Sequence, residues 1–190
     1  MERPSSAEYL VLRKTIAARG SLRPILFMSG VGIWAVLLIA VLVLLPSPVS
    51  LAIPLLVLAA TFEAIRPLHF GAERIGRYVQ VFYEEDGQPG RPLGDMPSWE
   101  RVAMSLGPVP GVGGNPLFVP IFFMATIVNY LPVLLVRPPA VPVELVMLAI
   151  PHLAFVAWLI YCERAMRTQR AVELARFREL RNAPQITPET

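Results

Sequence analysis

Four polar residues that could carry chemistry lie inside or beside long apolar runs of this chain. Glu63 and Arg66 stand near the end of one run, and Asn129 and His152 each lie within another. An ionisable side chain at membrane depth is costly unless it finds a partner or water, so such residues often mark a path for protons or ions. A carboxylate and an imidazole could exchange a proton or bind a cation here, with Arg66 and Asn129 tuning them.

The depths of these residues decide whether they could act together. Counted from the outer end of each run at about 1.5 Å per residue, Asn129 lies roughly 10 Å deep, His152 about 15 Å, Glu63 about 21 Å and Arg66 about 25 Å. If the runs pack as one bundle, the four side chains could face inward as a polar ladder. The simpler interpretation, which we favour, pairs Glu63 with Arg66 and makes Asn129 and His152 hydrogen-bonding contacts between helices.

Cofactor and metal sites are less well supported by the sequence. His69 lies past the end of the second run, so its height differs from that of His152 by roughly 15 Å, and the two cannot ligate one haem. One histidine could still ligate a pigment or haem held by a larger complex. The acidic run Glu84-Glu85-Asp86 could bind a divalent cation, but it is more typical of a solvated helix end. We therefore predict no cofactor, no metal site and no catalytic residue.

The composition indicates that lipid, and not water, surrounds much of this protein. Of 190 residues 55% are apolar, and the mean hydropathy of +0.56 is too high for a water-soluble domain. The net charge is +3, from sixteen Arg, one Lys and 14 acidic residues. The basic residues are spread through positions flanking the apolar runs, which suits anionic lipid headgroups and not nucleic acid. Cys162 is the only cysteine, which excludes an internal disulfide.

Four apolar runs predict an all-α integral membrane protein. The first run is free of charge for 22 residues, about 33 Å as a helix, which is enough to cross a bilayer. Short turns follow the first and third runs, so we expect four transmembrane helices as two antiparallel hairpins, with cytoplasmic amphipathic helices. The four runs are Pro24–Leu45, Val49–Ile65, Pro116–Val136 and Val141–Cys162.

The distribution of basic residues predicts the orientation. Sixteen of the 17 lysines and arginines flank one side of the predicted spans, and only Arg137 lies on the other, which indicates cytoplasmic termini and a multi-pass protein of the cell inner (plasma) membrane. The predicted segments are a cytoplasmic N-terminal segment with a short amphipathic helix (1–23), a first transmembrane hairpin (24–66), a cytoplasmic loop with an amphipathic helix (67–115), a second transmembrane hairpin (116–162), and a cytoplasmic basic helix and tail (163–190).

The cytoplasmic segments contain three helical patterns. A capping box at Ser5-x-x-Glu8 and a C-cap at Gly20 predict a short helix on the membrane surface. The second span should continue as an amphipathic helix, bent at Pro67, and the fourth should continue until Pro184 stops it. Apolar residues at helical spacing in these extensions are predicted to form a partner-contact surface: Ile75, Tyr78, Val79, Phe82 and Phe177.

These patterns favour a function in binding. We expect a small polytopic membrane protein that acts as an accessory, assembly or scaffolding component of a membrane complex. Its partners would be a bilayer with anionic headgroups and either another protein or a second copy of the chain. The alternative is a subunit of an oligomeric proton- or ion-coupled transporter or channel that uses the polar ladder. An enzyme is not expected, because no serine or cysteine has an evident base.

Overall fold

The computed structural model describes residues 6–45, 47–84, 117–135 and 141–183. Throughout these ranges the elements are helical, which confirms the all-α class. They are α1 (Ser6–Leu44), a 3-10 turn (Pro48–Leu51), α2 (Ala52–Val79) with a π-helical turn after it (Gln80–Glu84), α3 (Val119–Leu135) and α4 (Pro142–Asn182). The predicted cap at Ser5, the acids Glu85 and Asp86, and the turn at Arg137 lie outside the described residues.

Three of the described helices, α1, α2 and α4, are long and apolar enough to cross a membrane. The remaining helix, α3, has 17 residues and is therefore about 25 Å long. Large apolar side chains stand outward along the apolar parts of these helices: Met28 is 69% exposed, Val43 73% and Leu153 66%. A surface of this kind suits a hydrocarbon solvent, and together with the three long apolar helices it indicates a membrane location.

The first helix is longer than the sequence suggested. It continues through Gly20, where we expected a C-cap, and through Pro24 to Leu44, so no separate surface helix forms. The early turns of α1 pack against the π-helical turn that follows α2, where the rings of Tyr9 and Tyr83 lie 5.4 Å apart. Tertiary contacts of this kind override a local stop signal, because most helical stability comes from packing.

The predicted extensions of the second and fourth spans are confirmed as continuous helices. The second helix passes through Pro67 to Val79, and α4 runs without interruption to Asn182. At the start of α4 the backbone N–H of Val141 donates to Glu144 Oε2 at 3.2 Å. Glu144 lies near the start of the fourth apolar run. Its carboxylate therefore accepts from a backbone N–H that has no partner within the helix, as a carboxylate in the first turn commonly does.

An aromatic layer holds the four helices in one core. It contains one phenylalanine from each helix: Phe27, Phe62, Phe122 and Phe155. Phe62 and Phe122 are fully buried, and their ring centroids lie 5.4 Å apart in an edge-on arrangement. Phe27 contacts Phe122 at 5.7 Å, and Phe155 contacts Phe62 at 6.1 Å. Because edge-to-face rings at such distances attract each other beyond their buried area, the layer fixes α3 within the same bundle as the three longer helices.

Candidate functional site

A buried polar network joins α1, α3, α4 and the start of α2. At its centre is Asn129, which is completely buried. Its side-chain oxygen accepts a hydrogen bond from Trp34 Nε1 at 3.1 Å. Its amide nitrogen donates to the backbone carbonyl of Leu51 and to His152 Nε2, both at 3.0 Å. Both amide N–H groups and the amide oxygen therefore have partners, and one side chain links four elements.

The contacts of His152 define its tautomer. Its Nδ1 lies 2.7 Å from the carbonyl of Leu148 and must donate to it, which leaves Nε2 as the acceptor from Asn129. The ring of Tyr130 packs edge-on at 5.1 Å, and the Tyr130 hydroxyl donates to the carbonyl of Leu145 at 3.2 Å. Both ring nitrogens are engaged within the protein, which is the arrangement that the packing interpretation requires.

Glu63 and Arg66 form a second group on the outside of the bundle. Arg66 donates to Glu63 Oε2 at 3.1 Å through Nε and at 2.7 Å through Nη2. Trp158 Nε1 donates to the other carboxylate oxygen, and the Arg66 guanidinium lies 5.5 Å from the centre of the Trp158 ring. The Arg66 and Glu63 side chains are 34% and 42% exposed. Tryptophan and arginine in contact on an outer surface are typical of a membrane interface.

The structure separates the two halves of the predicted ladder. Asn129 and His152 contact each other, and Glu63 contacts Arg66, but no hydrogen bond joins the two pairs among the described residues. Phe155 lies between His152 and Trp158 along α4, and it packs on the fully buried Phe62 next to Glu63. Aromatic rings neither donate nor accept the hydrogen bonds that carry a proton, so Phe62 and Phe155 supply no hydrogen-bonding group between the two pairs.

A groove of about 270 Å³ opens between α3 and α4 beside His152. Its polar wall residues are Thr126, Tyr130 and His152, and each already has a partner. The Thr126 hydroxyl donates to the carbonyl of Phe122 at 2.7 Å, and the other two residues are engaged as described above. The hydrogen-bonding protons of these residues are engaged and the rest of the lining is apolar, which suits a hydrocarbon chain.

A buried ion pair connects the extensions of α2 and α4. Arg77, whose side chain is only 5% exposed, donates to Glu173 Oε2. Arg74 reaches Glu173 Oε1 at 3.1 Å, as does Gln169 at 2.6 Å. Burial opposes the ionisation of Glu173, but the hydrogen bonds from Gln169, Arg77 and Arg74 outweigh it and hold the pKa of this carboxyl below its usual value. Glu173 lies eleven residues beyond the end of the predicted fourth span, so this pair clamps the helices outside that span.

The predicted partner-contact surface lies mostly between the parts of α2 and α4 that continue beyond the apolar runs. The ring of Phe177 contacts Tyr78 at 5.9 Å and Phe82 at 6.4 Å, and Tyr78 contacts Phe82 at 4.7 Å. Val79 is buried, and Ile75 is half-buried. These five residues share a region, as the helical spacing indicated, but much of their surface is buried by contacts between α2 and α4.

A third polar group surrounds His69, which is 3% exposed. Arg23 Nη1 lies 2.7 Å from His69 Nδ1, and since a guanidinium only donates, Nδ1 is an acceptor. The proton is therefore on Nε2, which faces Met166 Sδ at 3.1 Å. This histidine joins α1, α2 and α4, and it lies apart from His152.

Sequence reasoning missed three members of these groups: Trp34, Trp158 and Arg23. A signal existed for the tryptophans, because a buried indole usually needs a partner for its N–H, and Trp34 lies within an apolar run. The partner itself is far away in sequence, 95 residues in each case, so only the fold identifies it.

Comparison with protein-family models, with curated proteins and with solved structures finds no match for this chain.

Proposed function

We propose that this chain is a four-span protein of a bacterial-type inner membrane that acts by binding, as an accessory, assembly or scaffolding component of a membrane complex. In this proposal the spans form two antiparallel hairpins, and both termini and the central loop are cytoplasmic.

The contacts of the helices support the topology. Along α1 and α2 the paired residues run in opposite directions: Gly30 lies against Thr61, and Tyr9 lies against Tyr83. Between α3 and α4, Tyr130 bonds the carbonyl of Leu145. The short helix α3 packs in the same core as the others, and its 17 residues are at the lower limit of the length that crosses a bilayer, so as a span it would have little tilt.

Impermeant maleimide labelling would test this topology directly. In a Cys162→Ala background, single cysteines at Ala7, Ser47 and Ala183 would be exposed to label. We expect the Ala7 and Ala183 positions to label only from the cytoplasmic face, and the Ser47 position only from the opposite face. Labelling of the two terminal positions from different faces would require an odd number of spans and would contradict the proposal.

The observation that carries the binding role is the cytoplasmic extension of α1, α2 and α4. Three helices extend beyond the apolar runs: α2 and α4 are held together by the Arg77–Glu173 ion pair and the rings around Phe177, and α1 joins them through Tyr9, which packs on Tyr83. This rigid extension still exposes large apolar side chains on α4, since Val172 is 66% exposed and Leu180 56%. A rigid support with outward apolar side chains is a form suited to docking a protein partner.

Native mass spectrometry after mild detergent extraction would test this role. We expect a protein to remain attached to the wild type, and Val172→Asp or Leu180→Asp to release it. Thr168→Asp, at an exposed polar position on the same helix, is the matched control and should retain the partner. Either the lack of any attached protein, or an equal loss with the control variant, would contradict a docking role for this face.

The transport alternative predicts a different result. It requires Glu63 and His152 to communicate, and a buried aromatic layer lies between them. We therefore expect no proton flux above that of empty vesicles when the purified protein is reconstituted in proteoliposomes. A flux that Glu63→Gln abolishes would establish the alternative and overturn the binding role as the primary function.

A further inference from the structure

Two arginines of α1 form a basic pair just before the first apolar run. Arg19 and Arg23 are four residues apart, so they lie one above the other on one side of the helix. Both side chains lie against α2. Arg23 contacts His69, and the Arg19 guanidinium occupies the space beside Gly71, where a Cβ atom would overlap it. The absence of a side chain at Gly71 therefore leaves the space that the Arg19 guanidinium occupies.

The charge of this pair is not neutralised within the described part of the chain. The ion pairs formed there use other arginines: Arg66, Arg74, Arg77 and Arg167. Arg23 donates to a neutral histidine and keeps its full positive charge, and its Nε is buried without an acceptor. Two adjacent guanidiniums with no carboxylate in contact are a ready site for an anion.

The position of the pair points to the kind of anion. Arg23 immediately precedes the apolar run that begins at Pro24, and Arg19 is about 6 Å further from the hydrocarbon along the helix. A headgroup layer is roughly 5–7 Å thick on each side of a bilayer, so both guanidiniums fall within it. Beside them α1 exposes Ile25 and Met28, which are 59% and 69% accessible and could pack against acyl chains.

We propose that Arg19 and Arg23 bind the phosphate of one anionic phospholipid. The forked N–H groups of a guanidinium match phosphate oxygens, and two of them carry more charge than a single phosphate diester can balance. A zwitterionic headgroup would place its ammonium near these two cations, so an anionic lipid is preferred. The assignment rests on the topology proposed above, which puts Pro24 at the cytoplasmic interface.

Native mass spectrometry of the full chain, purified in a neutral detergent and titrated with phosphatidylglycerol or phosphatidylcholine, tests the site. The wild type should bind its first phosphatidylglycerol more tightly than phosphatidylcholine. Each of Arg19→Gln and Arg23→Gln should weaken phosphatidylglycerol binding about fivefold, because a basic residue near an anionic surface contributes about 1 kcal/mol. The double variant should lose roughly 25-fold and bind the two lipids alike.

Two matched controls distinguish a specific lipid-binding site from non-specific attraction of an anionic lipid to positive charge. Arg170→Gln removes the same charge from an exposed position on α4 and should leave the affinity unchanged. Gly71→Ala keeps both charges but displaces Arg19, so it should weaken binding, whereas Gly76→Ala, where an added Cβ meets nothing within 4 Å, should not. Circular dichroism of each variant would verify that helix content is kept, and Arg23→Lys would serve where Arg23→Gln does not fold.

Three results would overturn the proposal. One is a wild type that does not distinguish the two lipids, and another is an Arg170→Gln variant that loses as much affinity as Arg19→Gln. The third would come from a titration of the protein with inorganic phosphate in place of lipid. If phosphate alone binds in an Arg19- and Arg23-dependent way while phosphatidylglycerol does not, the site serves a soluble anion. Maleimide labelling distinguishes all three from an error in topology, because it does not depend on lipid binding.

Discussion

The close approach of α1 and α2 at Gly30 gives a sharp prediction about stability. A Cβ atom added at Gly30 would lie 2.7 Å from the Thr61 Cβ and would also overlap the Thr61 methyl and hydroxyl groups. Rotation of Thr61 could move its methyl and hydroxyl, although the hydroxyl is held by the carbonyl of Val57 at 2.7 Å. Rotation cannot move Cβ. The helices would therefore have to separate, since ordinary contact begins at 3.4 Å and the shortfall is about 0.7 Å.

The expected loss of stability in Gly30→Ala can be judged against Gly32→Ala, because a Cβ added at Gly32 meets nothing within 4 Å. Gly30→Ala and Gly32→Ala gain the same helix propensity, about 1 kcal/mol, so this gain cancels in the comparison. What remains is the cost of overpacking at Gly30, typically about 1–3 kcal/mol. We expect Gly30→Ala to be less stable than Gly32→Ala by that amount.

Unfolding in mixed micelles of a mild detergent and SDS, followed by circular dichroism, measures this difference. Combining Gly30→Ala with Thr61→Gly removes the clash and should recover at least half of the lost stability. Equal stability of Gly30→Ala and Gly32→Ala would refute the reasoning, because it would mean that the two helices do not approach closely at this point.

Further predictions concern the buried polar groups. Asn129→Leu leaves the Trp34 indole N–H and His152 Nε2 without a partner and removes one donor from the Leu51 carbonyl. It should lower the free energy of unfolding by about 1–2 kcal/mol, against a negligible change for the exposed Thr168→Val. Glu173→Gln removes the nearer carboxylate of buried Arg77, which keeps its contact with Glu73 at 3.4 Å, and should cost about 1–3 kcal/mol, seen as faster hydrogen exchange in the extension of α4. Glu163→Gln should cost less than about 1 kcal/mol, because its partner Arg167 is exposed. The lowered pKa of Glu173 makes its contribution full above the ordinary value of about 4.3, and this contribution should be lost as pH falls through the folded value. An acid unfolding profile that Glu173→Gln leaves unaltered would contradict that assignment.

Much of the helical framework followed from the sequence, because apolar runs of this length have few alternatives in hydrocarbon. The continuation of α2 and α4 beyond their apolar runs was also predictable from helical spacing. The end of the first predicted helix at Gly20 was wrong. A glycine ends a helix only where no tertiary contact stabilises the residues beyond it. Here contacts with α2 stabilise α1 on both sides of Gly20.

The candidate sites were predictable in type but not in arrangement. Glu63 and Arg66 are three residues apart, so their contact is local and spacing suggested it. The partner of each remaining group is remote in sequence: Asn129 meets Trp34 at a separation of 95 residues, and Arg23 meets His69 at 46. Such pairs depend on how the helices are rotated about their axes, and that rotation is set by the whole core.

The sequence by itself determined the solvent of this protein, its helical class and the position of its charges, since each depends on local composition and on the cost of exposing peptide groups to lipid. Only the tertiary structure decided that Asn129 contacts His152 while Glu63 contacts Trp158, that Tyr78, Phe82 and Phe177 pack on one another, and that Arg19 lies against Gly71. These features arise from side chains that meet across helices, and the packing of four helices into one core selects which side chains meet.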